Sequence, residues 1–147
     1  MNDYGMISGI IVGVLTGAIS STIAALLFYY FQDRKKEYCY LEDVCKYMHD
    51  ICTMLTIQIN DTSMFYTKFY NRPMSHGKNK HYKSADVSEA MNVYNELNGH
   101  IECAYKNYIL SKDKNNRIAM EEYRKEISDL KNQYNMSANK LGQFLYG

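Results

Sequence analysis

The chain has 147 residues, a formal net charge of +1 and 46% hydrophobic residues. This length allows one small domain with a real core and no more, and the balanced charge supplies no strong field for nucleic acid or acidic partners. One proline, few glycines outside residues 6–31, 15 Tyr and no Trp favour long helices over short strands joined by turns.

Residues 6–31, MISGIIVGVLTGAISSTIAALLFYYF, contain no charged side chain. A bilayer core is about 30 Å thick and a helix rises about 1.5 Å per residue, so about 20 apolar residues suffice to cross it. The segment is longer than that, and Phe28, Tyr29, Tyr30 and Phe31 account for the excess. Tyr in particular prefers the headgroup level, where its ring is half wet. A cleaved signal peptide needs a basic leader, whereas Asn2, Asp3, Tyr4 and Gly5 offer one acid and no cation. Apolar sequence also continues well past the passable cleavage site at Ala18 and Ser20. A soluble core helix this apolar on every face is improbable in so short a chain.

Orientation follows from the asymmetry of Lys and Arg. None precedes the span, and Arg34, Lys35 and Lys36 open the far flank. The expectation is a short external tail (residues 1–5), a transmembrane helix (6–31) and a cytoplasmic domain (32–147) in the plasma or inner membrane. Gly9, Gly13, Gly17 and Ser21 recur every fourth residue along the span, with Ala25 beyond. Small residues at this spacing let two helix backbones approach closely, so this row is the candidate packing face.

After the span, apolar positions recur at Leu41, Val44, Cys45, Met48, Cys52, Leu55 and Ile59, in steps of three and four. This predicts a helix over about 36–60. The pattern extends more weakly through Tyr66 and Phe69, so an end near Asn71 stays open, with Pro73 stopping it in either case. Residues 72–85 read as a basic loop carrying Arg72, Lys78, Lys80 and Lys83. A second helix is predicted over 86–110, with Asp86 and Glu89 at capping-box spacing and Gly99 as an interruption. The third runs over about 117–141, to Gly142. The predicted fold class is all-α: a single N-terminal transmembrane helix, then an antiparallel, coiled-coil-like bundle of about three long helices.

Cys45, His49, His100 and Cys103 form the sharpest chemical constellation, because Cys and His are the ligands zinc prefers. If the first bundle helix ends near Asn60 and pairs antiparallel with the second, Cys45 faces Ile101 and all four are level. If it runs to Asn71, Cys45 drops about 13 Å below Cys103 and only a contact between Cys52 and Cys103 survives. Cys is also an ordinary buried residue, and Cys45 and Cys52 lie on the apolar stripe. Cys39 is placed where palmitoylation occurs in a suitable host. No nucleophile elbow, P-loop, dinucleotide fingerprint or zincin motif is present, and Glu-x-x-His does not occur.

No catalytic residue and no cofactor are therefore expected. The expected partners are the lipid bilayer and either a second copy of the chain or another membrane or cytoplasmic protein. The expected function is non-enzymatic: a single-pass membrane protein whose bundle mediates protein–protein interaction or self-assembly, with the span localising or transmitting it. A membrane-disrupting effector of the bacterial defence or toxin type, oligomerising through its Gly/Ser-rich span, is the alternative. A Cys/His metal or redox sensor is the second alternative.

Overall fold

The computed structural model describes residues 3–57, 62–74 and 82–147. These form four helices: α1 (Asp3–Ile57), α2 (Thr62–Tyr70), α3 (Ala85–Asp113) and α4 (Arg117–Tyr146). No strand occurs among the described residues. The chain divides into two compact units, Met1–Cys39 and Tyr40–Gly147.

In the first unit, α1 is apolar and every described side chain up to Lys36 is exposed. This helix is long and apolar enough to cross a membrane.

The second unit is a bundle with one continuous core. Its centre holds Val44, Met48 and Ile51 from α1, Phe65 from α2, Ile101 and Tyr105 from α3, and Tyr134 and Leu141 from α4. On α3, Val87, Ala90, Tyr94, Ile101, Ala104, Tyr105 and Tyr108 are buried, the three-and-four spacing that turns one face inward. The helix starts at a Ser84 cap, whose hydroxyl accepts from the Val87 amide at 3.5 Å, rather than at Asp86. On α4, Ile127, Tyr134, Ala138, Leu141 and Leu145 continue the stripe. Leu145 lies one step beyond Leu141 and is buried, so α4 runs past Gly142 instead of ending there.

Three residues turn the chain between α3 and α4. The Asn116 amide donates to the Ser111 carbonyl at 2.9 Å and the Asn115 amide to the Lys112 carbonyl at 3.1 Å, the paired bonds of a Schellman ending. Asn115 takes the left-handed conformation this requires, with φ 53°. Asn116 then caps α4, its side-chain oxygen accepting from the Ala119 amide at 3.2 Å.

The bundle differs from the expected three-helix arrangement in one respect with large consequences. Residues 62–70 form a separate short helix that runs back along α1. Lys68 pairs with Asp50 at 2.9 Å, and the Phe69 carbonyl accepts from the Tyr47 hydroxyl at 3.1 Å. Against α3, Phe65 stacks on Tyr105 with centroids 3.9 Å apart, and Tyr70 donates to Glu102 at 2.8 Å. Because α2 makes the return, α3 runs parallel to the bundle part of α1, not antiparallel. Both pair antiparallel with α4: Cys45 with Ala138 and Cys52 with Lys131 on one side, Glu89 with Lys140 and Asn98 with Tyr134 on the other.

Candidate functional site

The sequence points to three places: the small-residue row of the span, the Cys/His quartet and the basic loop. Along the row, space is open. A Cβ added at Gly9, Gly13 or Gly17 would meet nothing within 4 Å beyond the helix's own backbone. Ser21 donates to the Ala18 carbonyl at 2.9 Å and Thr22 to the same oxygen at 2.8 Å, while Ser8 donates to the Gly5 carbonyl at 3.0 Å. These hydroxyls are satisfied within the helix, which lets the segment lie in an apolar medium without an outside acceptor.

The Cys/His quartet is not brought together. Parallel α1 and α3 remove the register that placed Cys45 opposite Ile101. The buried thiols of α1 turn toward α4 instead: Cys45 donates to the Ala138 carbonyl at 3.5 Å and Cys52 to the Lys131 carbonyl at 3.6 Å. His49 is half-buried and His100 exposed. Cys103 is exposed and accepts from the Asn107 side chain at 3.7 Å. Among the described residues, no group of three or more His, Cys, Asp or Glu side chains is placed to hold a metal ion. Burial pushes the Cys45 thiol up, with the nearby Glu42 carboxylate adding to it. Burial likewise pushes Cys52 up to about 11, against an opposing pull from Lys131. A metal ligand or reactive nucleophile needs the thiolate, and both sites favour the thiol.

Of the basic loop, Arg72 and Lys83 are exposed, while Lys78 and Lys80 lie outside the described residues. What the loop region does show is a tyrosine clasp. Tyr47 of α1 and Tyr94 of α3 meet edge to face, with centroids 5.9 Å apart and planes at 89°. Tyr47 donates to the Phe69 carbonyl at 3.1 Å and Tyr94 to the Pro73 carbonyl at 2.6 Å. The two rings thus fill the core while their hydroxyls hold the chain where it leaves α2. Beneath them, Tyr134 donates to the Asn98 side-chain oxygen at 2.8 Å, with both residues buried. Desolvation raises the hydroxyl pKa of all three tyrosines, and the Arg72 charge opposes it only in part. These hydroxyls are committed to structural bonds as protonated donors. No sequence motif marks these three tyrosines. Tyr94 and Tyr134 sit at buried positions in the three-and-four pattern of α3 and α4, where a Tyr hydroxyl must find an acceptor, whereas Tyr47 falls outside the stripe read from the sequence.

No protein-family model, curated protein or solved structure matches this chain.

Proposed function

We propose that this chain is a non-enzymatic, single-pass membrane protein. Residues 6–31 of α1 cross the bilayer with the N-terminus outside, and the Tyr40–Gly147 unit works in the cytoplasm, binding a protein partner or a second copy of itself. The observation that carries this reading is the contrast between the two units. The bundle closes its own core, with no buried side-chain N or O atom left without a hydrogen bond among the described residues. The span leaves every apolar side chain bare, Ile10, Leu15 and Phe28 among them. A contiguous apolar surface of that extent marks a membrane or protein contact. Inside a bilayer its cost vanishes. The one-sided Lys and Arg supply the orientation.

Alkaline extraction of membranes tests the span: the protein should stay in the pellet, and release into the supernatant overturns the reading. Two exposed thiols, Cys39 and Cys103, make orientation testable with a membrane-impermeant maleimide. In intact cells an Asn2→Cys variant should react at its new thiol, whereas Cys39 and Cys103 should react only after permeabilisation. Labelling of Cys103 from outside would reverse the topology.

The open row at Gly9, Gly13 and Gly17 favours self-association within the membrane and equally supports the membrane-disrupting alternative. Replacing Gly13 and Gly17 by Ile should abolish a detergent-resistant oligomer. If the effector reading holds, the wild type depresses membrane potential and growth on expression, and the double variant does not.

A further inference from the structure

We propose that Arg34, Lys35 and Lys36 form a seat for the phosphate headgroups of anionic phospholipids at the end of the span. The inference rests on residues 6–31 lying in a bilayer and adds the class of lipid that gathers there. Phe28, Tyr29, Tyr30 and Phe31 place the interface, because aromatic rings settle at headgroup depth. The three cations follow at about 4.5 to 7.5 Å along the helix axis from Phe31. That is within the screening length of physiological salt, about 8 Å.

Arg34 does not extend away from this layer. Its Nε donates to the Tyr30 hydroxyl oxygen at 3.1 Å, and its guanidinium carbon lies 5.2 Å from the Tyr30 ring centroid. The guanidinium is thereby drawn back one helical turn, to the depth of the aromatic belt, and among the described residues it forms no ion pair, which leaves its charge to a phosphate. Lys35 and Lys36 are exposed, and among the described residues neither forms an ion pair. The two acids nearby, Asp33 and Glu37, are four residues apart and so share one face of the helix. Lys35 projects from the opposite face, with Arg34 and Lys36 flanking the acids. The cations therefore surround most of the helix, and the acids reduce their sum to one net positive charge. A zwitterionic headgroup also carries a phosphate but cancels it with its own cation. Only a net-negative lipid gains from this ring.

The test uses the full chain with Cys103→Ser, carrying a fluorescent donor on Cys39. It is reconstituted in phosphatidylcholine vesicles with a minor share of phosphatidylglycerol. Energy transfer is compared between acyl-labelled phosphatidylglycerol and acyl-labelled phosphatidylcholine at equal mole fraction. The expected result is about fivefold local enrichment of the anionic lipid, as one net charge near the surface implies. It should fall with added salt, vanish in a combined R34Q, K35Q, K36Q variant and rise in a combined D33N, E37Q variant. Equal transfer from the two lipids overturns the inference and leaves the span standing. No transfer from either lipid means that the chain has not inserted, which overturns both.

Discussion

Tyr134 places a polar group at the centre of an apolar bundle by giving it one acceptor, the side-chain oxygen of Asn98. Tyr134→Phe keeps the ring and strips that oxygen of its donor. An unsatisfied buried acceptor costs about 1 to 3 kcal/mol, so chemical denaturation of the full chain in detergent should show a loss in that range. Neutralising the exposed Lys46, which pairs with Glu42 at 3.7 Å, should cost almost nothing. The buried thiol of Cys52 gives a pH signature. The unfolded chain releases this proton near pH 9.0, whereas the folded chain keeps it to about 11. The unfolded state therefore binds fewer protons across that interval, and stability falls as pH rises through it after being fully present below 9. Cys52→Ala should flatten the Cys52 part of that decline. Denaturation midpoints at a series of pH values would detect the difference, and identical profiles would rule the thiol out.

Helix boundaries and helix partners were legible to different degrees. The stripes of α3 and α4 announced themselves because each apolar face repeats every three or four residues over many turns. The direction in which α1 meets α3 did not, because a stripe says which face is buried and not what lies against it. That direction hung on nine residues, Thr62–Tyr70, whose pattern is too short to separate a new helix from the tail of the old one. Phe65 and Phe69, four apart and both buried, were its only strong mark. The Cys/His quartet fell with that register. Within the elements, two glycines stand where nothing requires them. A methyl at Gly99 would meet nothing within 4 Å, and one at Gly142 would meet only the Cys45 sulfur, at an ordinary 3.7 Å. Gly99→Ala and Gly142→Ala should each stabilise by about 0.5 to 1 kcal/mol, read as a raised melting temperature. The α3–α4 turn behaves oppositely. Asn115→Gly should be tolerated, whereas Asn115→Ala should cost about 1 kcal/mol, because the backbone there is left-handed.

At the scale of the whole molecule, the chain combines an apolar helix that leaves its surface bare with a bundle that finishes its own core. Because Tyr40–Gly147 is a compact unit, a chain lacking residues 1–39 should remain in solution and melt in one cooperative step followed by circular dichroism. A gradual, non-cooperative melt would show that the bundle depends on the rest. The two thiols that α1 sets against α4 have a further use. Cys45 and Cys52 are shielded while Cys39 and Cys103 are open, so four chemically identical groups sort themselves into fast and slow reactors. Cys45 and Cys52 can be modified only when α1 lifts from α4, and a single lifting event uncovers both. The protein thus carries its own clock for that breathing motion. The slow phase of thiol trapping measures how often the bundle opens, and any partner that clamps it shut will slow the clock.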